Sequence, residues 1–181
     1  MDLRSRWHGQ AGLLEELLAR YREPHRHYHT LRHLEECFEK LDELRDLAAH
    51  PEEVALAIWF HDAIYDPGRD DNEARSAAWA RRTVGEPIAE LVMATRHDAV
   101  PAKVDAQVLV DVDLAILGAP PRRFEEYERQ VREEYCWVPA PDYDLQRRQI
   151  LDTFLARPTI YNTRRFIERY EAQARRNLAR R

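Results

Sequence analysis

The sequence predicts an all-α bundle, because its apolar residues recur at helical spacing along almost the whole chain. Segment 13–21 shows the pattern near the start, with apolar side chains at intervals of three or four residues. Val108–Val112 has the composition of a strand, but the chain offers no second strand to pair with it. With 181 residues and neither an internal repeat nor a low-complexity linker, the chain is expected to form one domain, residues 1–181.

Apolar stripes and a proline delimit the first helices. Segment 13–21 forms the first, and a longer stripe of leucine and phenylalanine predicts the second over about 30–48. Pro51 begins the third helix, whose apolar run Val54–Phe60 ends at an adjacent histidine and aspartate. The sequence Asp-Pro-Gly at 66–68 then predicts a loop.

Six further segments complete the predicted bundle. They span about 72–84, 87–96, 104–117, 121–135, 142–155 and 163–179. The tail from 164 to 181 carries seven Arg against two Glu. This balance fits a solvated surface helix with Glu–Arg pairs, and a contact with nucleic acid or a partner is the alternative.

Composition argues against several classes of protein. The 28 basic and 33 acidic residues give a net charge of −5, which argues against a nucleic-acid binder, because such a protein needs a basic face. The five glycines form neither a dinucleotide-binding motif nor a P-loop. The two cysteines fit neither a zinc ribbon nor a disulfide scaffold, and Cys37 is expected to be a buried thiol on a helix face. The absence of a signal sequence and of a long apolar run predicts a soluble, cytoplasmic protein without a membrane span.

Two histidine motifs are the first candidates for a functional site. His29 and His33 stand four residues apart and would share one face of a helix, although surface histidines also produce this spacing by chance. His61 and Asp62 end an apolar helix. They either hold a cation beside the core or interact with the helix terminus and the loop that follows.

A third candidate motif places two carboxylates inside an apolar helix. Asp111 and Asp113 are two residues apart, so their side chains point about 200° away from each other. At least one of them must therefore be buried, and a buried carboxylate needs a metal, an arginine or backbone donors. The sequence leaves open which aspartate takes which partner.

Together these motifs indicate a metal site. Imidazole and carboxylate ligands from three helices suit a divalent ion that keeps positions open for water. Such an ion lowers the pKa of a bound water to about 7 and can hold an anionic substrate. The ligand types admit Mn, Fe, Ni, Co, Zn or Mg.

The order His … His-Asp … Asp on a helical scaffold resembles the HD-domain superfamily of metal-dependent phosphohydrolases. Longer strings are similar to a small bacterial branch of predicted HD-superfamily hydrolases, and they cover nearly the whole chain. These strings are His27–Leu34, Trp59–Tyr65, Asp71–Ala77, Ala94–Asp98, Asp111–Gly118, Glu134-Tyr135, Arg148 and Arg157–Tyr161. The resemblance implies hydrolysis of a phosphoester of a nucleotide or a related small metabolite. A metal-containing protein that binds a ligand or regulates without catalysis is the alternative.

The resemblance also implies roles for individual residues. The four metal ligands would be His33, His61, Asp62 and Asp113. Asp111 is the alternative to Asp113, and His29 would serve as a proton donor.

Further residues would handle water and substrate. Asp71 and Glu73 fall where related alarmone hydrolases carry an acidic pair that orients the water. Glu73 would be the general base, or a carboxylate favoured by the helix N-terminus. His97 starts a second His-Asp pair, which lies too near Asp113 in the sequence to be the pair that binds the metal in the family. His97 is instead expected at the rim of the pocket, where it would bind phosphate or a second metal. Arginine grips phosphate with two nitrogens, and the candidates in or near the family-like strings are Arg32, Arg96, Arg132 and Arg148.

Overall fold

The computed structural model describes residues 2–180. This part of the chain contains nine α-helices and no strand. The helices are α1 (Ala11–Arg20), α2 (Leu31–Leu44), α3 (Pro51–Phe60), α4 (Asn72–Thr83), α5 (Glu86–Ala94), α6 (Val104–Asp113), α7 (Pro121–Glu134), α8 (Ala140–Leu155) and α9 (Arg164–Ala179). The predicted all-α fold is confirmed, and every predicted helix is present with ends that differ by a few residues. Among the described helices, none combines the length and apolar character that crossing a membrane requires.

Helix α3 lies at the centre of the bundle because it is apolar on every side. Its residues Ile58, Trp59 and Phe60 are fully buried, and it packs against α2, α4, α5 and α6. Pro51 occupies the first turn, where the missing N–H would have had no partner within the helix. The two polar residues that follow α3 therefore emerge directly from the core.

Two of the differences in helix ends lie near the candidate site. α2 begins at Leu31, so His29 lies in the turn before the helix. The expectation that His29 and His33 share a helix face is therefore wrong. α6 ends at Asp113, and the predicted remainder up to 117 is a 3₁₀ helix, Leu114–Gly118.

The 3₁₀ helix provides the surface on which α9 packs. A Cβ atom at Gly118 would lie 2.7 Å from the Tyr161 hydroxyl and 2.8 Å from Cβ of Tyr170, so only glycine allows this approach. Asn177 of α9 donates through Nδ2 to the carbonyls of Leu117 and Ala119, each at 2.8 Å. α9 thereby fixes the chain just after Asp113, the last residue of α6.

Candidate metal centre

Three helices bring two imidazoles and two carboxylates to one point. His33 lies on α2, His61 and Asp62 directly follow α3, and Asp113 ends α6. Nε2 of His33 lies 3.0 Å from Nε2 of His61, and 3.4 Å from both Oδ2 of Asp62 and Oδ1 of Asp113. Nε2 of His61 lies 3.0 Å from the same Asp62 oxygen and 3.6 Å from Oδ1 of Asp113. The structure thus brings together all four side chains that the resemblance implies as ligands.

The separations within this group fit the coordination of one divalent ion. Ligand atoms about 2.1 Å from an ion lie about 3.0 Å apart at right angles and about 3.4 Å apart at the tetrahedral angle. The five separations given above span 3.0–3.6 Å. The side chains of His33 and His61 are 2 % exposed, whereas those of Asp62 and Asp113 are 17 % exposed. The carboxylates therefore mark the side from which solvent reaches the group.

The charges of the group favour a bound cation. Burial by itself would raise the pKa of Asp62 and of Asp113, but the neighbouring histidines hold both pKa values well below the usual range. Burial also acts against a charged His61, yet Asp62 above all raises the pKa of this imidazole well above normal. Carboxylates that stay ionised around two imidazoles attract positive charge, which a proton or a metal ion can supply.

The end of α3 orients His61. Its Nδ1 lies 2.8 Å from the carbonyl oxygen of Ile58, one of the last carbonyls of the helix, which have no partner within it. A carbonyl can only accept, so Nδ1 carries the proton and donates it. In the neutral imidazole Nε2 then presents its lone pair to His33, Asp62 and Asp113, as a metal ligand must.

Cys37 is a residue that the sequence reasoning placed in the core and did not connect with the site. It is buried one turn after His33 on α2, and its Sγ lies 3.6 Å from Nε2 of His33. Single ligand atoms of His33, Cys37, His61 and Asp113 all lie within 4.8 Å of one another, so this group could hold a metal ion. The spacing of four residues from His33 is the sequence signal that could have identified Cys37.

His97 contacts the site through Asp113. Its Nε2 lies 3.0 Å from Oδ2 of Asp113, the oxygen that His33 and His61 do not face. The backbone of His97 is left-handed, with φ at 59°, which is uncommon for a residue other than glycine and is often found at functional sites. The structure therefore places His97 against a candidate ligand, where it can orient the carboxylate.

His29 is positioned by Glu134 from the end of α7. Nδ1 of His29 lies 2.7 Å from Oε2 of Glu134, and the other oxygen accepts from the backbone N–H groups of His27, Tyr28 and His29 at 2.8–2.9 Å. The hydroxyl of Tyr65 donates to Oε2 at 2.8 Å. This buried carboxylate therefore shapes the turn before α2, a role that no sequence pattern other than the Glu134-Tyr135 string indicates.

A buried arginine ties the same turn to the residues after α3. The side chain of Arg26 is fully buried and donates to the carbonyl oxygens of Asp62 at 2.7 Å, Ala63 at 3.2 Å and His29 at 3.2 Å. It also pairs with Glu23 at 3.1 Å. Arg26 was not among the arginines selected from the sequence, and it holds the His29 and Asp62 backbones in one arrangement.

Glu73 and Asp71 occupy different environments. Glu73 lies in the first turn of α4 and is partly buried, and burial raises its pKa, with smaller contributions from the charges of Asp62 and Asp113. The charge of Arg96 acts in the opposite direction on the same carboxyl, so Glu73 lies within electrostatic range of all three residues. The Asp71 carboxylate instead holds Arg69 through hydrogen bonds of 2.6 and 2.7 Å on an exposed surface. The structure does not bring Asp71 to the four candidate ligands.

Asp111 has a different set of partners from Asp113. It is fully buried, and its oxygens accept from the backbone N–H and the side-chain amide of Asn162 at 2.7 and 2.9 Å and from the N–H of Thr163 at 2.7 Å. Backbone donors therefore satisfy Asp111, which fixes the start of α9. The structure brings Asp113, not Asp111, to the histidines.

The four candidate arginines are dispersed. Arg32 pairs with Glu126 and Glu36 on the surface, and Arg132 donates to the carbonyls of residues 135 and 138. Arg148 is exposed on α8. Arg96 pairs with Asp98 at 3.2 Å, and its charge lowers the pKa of Glu73, another candidate site residue.

Comparison of the chain with protein-family models, curated proteins and solved structures found no match. The functional interpretation therefore depends on the arrangement of side chains described above and on the resemblance of the motifs.

Proposed function

We propose that the protein is a metal-dependent phosphohydrolase that cleaves a phosphoester of a nucleotide or a related small metabolite. The observation that carries this proposal is the convergence of two imidazoles and two carboxylates from three helices at separations of 3.0–3.6 Å. The similarity of the motifs to HD-domain phosphohydrolases supports the same reaction. In the proposal, one divalent ion (Mn, Fe, Ni, Co, Zn or Mg) is held by His33, His61, Asp62 and Asp113.

The bound ion would polarise a phosphoryl oxygen and bring the pKa of a coordinated water close to 7. Glu73 is the proposed group that orients the attacking water and accepts its proton. Burial raises the pKa of the Glu73 carboxyl, and the charges of Asp62 and Asp113 add to this increase, which favours acceptance of a proton. Arg96, whose charge acts on the same carboxyl, is the proposed contact for the phosphoryl oxygens.

His29 is the proposed proton donor for the departing oxygen. Glu134 accepts from Nδ1 at 2.7 Å, which fixes the ring and leaves Nε2 as the atom that exchanges a proton with the substrate. The centroid of the His29 ring lies 4.1 Å from that of Tyr65 and 5.9 Å from that of His33, so His29 lies beside the candidate ligands without being one of them. His97 would position Asp113 and contact the phosphoryl group from the opposite side.

The proposed substrate is a small molecule that the enzyme meets in the cytoplasm. The net charge of −5 disfavours a nucleic acid as substrate, since binding one needs an extended basic face. A single phosphoester can instead be held by the ion and one arginine.

One observation favours a second candidate, a metal-containing protein without catalytic activity. Cys37 lies within the group that could hold the ion, and a thiolate there would fill a coordination position. Structural metal sites are closed by four protein ligands, whereas catalytic sites keep a position for water. Binding of a ligand without turnover would then be the function.

A hydrolysis screen separates the two candidates. Metal-free protein would be loaded in turn with each of the divalent ions named above and tested for phosphate release from nucleotides and simple phosphomonoesters and phosphodiesters. The proposal expects turnover with at least one ion, and loss of that turnover in His61→Ala. Retention of a tightly bound ion together with no turnover on any ester would support the second candidate.

A further inference from the structure

A cavity of about 190 Å³ lies beside the candidate metal ligands, and His33, Cys37 and Asp113 are among the residues that line it. Apolar residues of α6, of the 3₁₀ helix and of the segment that joins it to α7 form an apolar wall, namely Val112, Ala115, Ile116, Ala119 and Pro120. Further lining residues come from α2, and Tyr170 comes from α9.

Tyr28 adds an aromatic ring to the lining of this cavity. The residue is only 4 % exposed, and its hydroxyl oxygen is buried without a hydrogen-bond partner among the described residues. The ring is held in place by contacts with His33 at 4.8 Å and Tyr127 at 4.5 Å, measured between ring centroids. Because the hydroxyl oxygen is inaccessible, Tyr28 contributes an apolar surface to the cavity.

The charges at the mouth of the cavity argue against an anion as its occupant. Two cations, Lys40 and Arg123, stand beside two carboxylates, Glu36 and Glu39, so the formal charges cancel. Arg123 is also already paired with Glu36 at 2.7 and 2.8 Å. Lys40 donates to Glu43 and to the Tyr170 hydroxyl, each at 2.7 Å. Neither cation is free for a phosphate.

We infer that this cavity binds the uncharged, ring-sized organic group of the substrate. The volume fits this class of ligand, because an apolar protein cavity of about 150 Å³ holds benzene. The apolar wall excludes a bare phosphate, and the position beside His33 and Asp113 puts the ester bond within reach of the candidate ligands. This inference rests on the proposed function for the identity of the bound ester.

The inference predicts discrimination between esters by the size of their organic group. Phenyl phosphate fills the cavity, whereas methyl phosphate leaves it empty, so phenyl phosphate is the better substrate. Ala119 lies on the wall, is partly exposed and has an extended backbone, so Ala119→Leu fills the cavity without disturbing the core. Ala102→Leu, on an exposed loop before α6, is the matched control.

Binding of phenol tests the cavity without any reaction. Ligand-observed NMR on the full chain measures phenol affinity for wild type, Ala119→Leu and Ala102→Leu, with circular dichroism to verify folding. We expect at least about a tenfold weaker affinity in Ala119→Leu, and the wild-type affinity in Ala102→Leu. Wild-type phenol affinity in Ala119→Leu would overturn the inference.

Kinetics then separate this inference from the proposed function. If the wild type hydrolyses both esters, Ala119→Leu should lower kcat/KM at least about tenfold for phenyl phosphate and leave methyl phosphate unchanged. Equal losses for the two esters would overturn the inference and leave the hydrolase proposal standing. If the wild type hydrolyses neither ester while phenol binding behaves as expected, the proposed function fails for these esters and the cavity assignment stands on the binding data.

Discussion

Oδ2 of Asp113 lies 3.0 Å from Nε2 of His97, while Oδ1 of the same carboxylate lies 3.4 Å from Nε2 of His33. One carboxylate therefore joins the two imidazoles from opposite sides. A ligand carboxylate held in this way has one oxygen for the ion and one for an orienting hydrogen bond, which is how outer residues tune metal sites in general.

His97→Ala should weaken metal binding without abolishing it. His97 orients Asp113 but contributes no ligand atom, and loss of such a partner typically costs about 10–100-fold in metal affinity. His61→Ala should abolish measurable binding, because it removes a ligand. Isothermal titration with Mn²⁺ and Zn²⁺ measures both, with the exposed His8→Ala as control. Complete loss in His97→Ala would instead assign His97 as a ligand.

The stability of the protein should depend on the ionisation of Glu134. Burial alone would raise the pKa of this carboxyl, but the charge and hydrogen bond of His29 and the backbone amides of His29 and His27 bring it to about 2. A carboxyl whose pKa is lower in the folded than in the unfolded protein makes its full contribution to stability at pH values above the unfolded pKa of 4.5. This contribution is lost as the pH falls from 4.5 toward 2. The shift corresponds to about 3 kcal/mol of unfolding free energy.

Glu134→Gln tests this dependence by urea unfolding between pH 7 and pH 2. The variant should be less stable than wild type at neutral pH, because the amide cannot accept from every donor that the carboxylate satisfies. The difference between the two proteins should shrink as wild-type Glu134 becomes protonated at acid pH. A difference that stays constant with pH would show that the carboxylate charge contributes nothing.

Glu73→Gln and His29→Ala should each lower turnover by about 10²–10⁴, the usual contribution of a general acid or base. Neither residue is a proposed ligand, so the metal content should equal that of wild type. The measurement is kcat together with the metal content of the same preparation. Asp70→Asn, on the exposed loop before α4, should keep full activity. A variant at position 73 or 29 that turns over like wild type would assign that residue a structural role.

Asp111→Ala should lower the free energy of unfolding and keep metal binding, whereas Asp113→Ala should abolish metal binding. Asp111→Ala leaves the N–H groups of Asn162 and Thr163 buried without a partner, which should cost about 3 kcal/mol of unfolding free energy. The folded fraction should still bind the ion. Asp113→Ala should lose the ion instead. Urea unfolding and metal titration of both variants measure the two effects, and loss of metal in folded Asp111→Ala would contradict the assignment.

The sequence predicts the helices well because the fold depends mainly on apolar spacing. It does not distinguish an α-helix from a 3₁₀ helix, which is why the predicted segment 104–117 changes type after Asp113. The spacing also could not choose between Asp111 and Asp113. That choice depends on donors at Asn162 and Thr163, some fifty residues away in the chain and brought close only by packing of α9.

In the candidate site, too, local motifs are visible in the sequence and contacts between distant residues are not. His33 and His61 are found by the sequence because each motif is local, whereas Glu134 reaches His29 across 105 residues and leaves no local signal. The arginines were the least predictable group. The chain has 26 Arg, and proximity to a motif does not show which of them are available to a substrate. It cannot show that Arg132 donates to nearby carbonyl oxygens or that the side chain of Arg26 is buried.

The central claim is that one ion held by His33, His61, Asp62 and Asp113 drives phosphoester hydrolysis. Its most direct test is a titration of chelator-treated protein with a divalent ion, in which bound metal and phosphate release are measured on the same samples. We expect hydrolysis to rise in proportion to bound metal, to saturate at about one ion per chain, and to be absent in Asp113→Ala. Phosphate release that persists after chelation, or one ion bound per chain without hydrolysis of any ester, would contradict it.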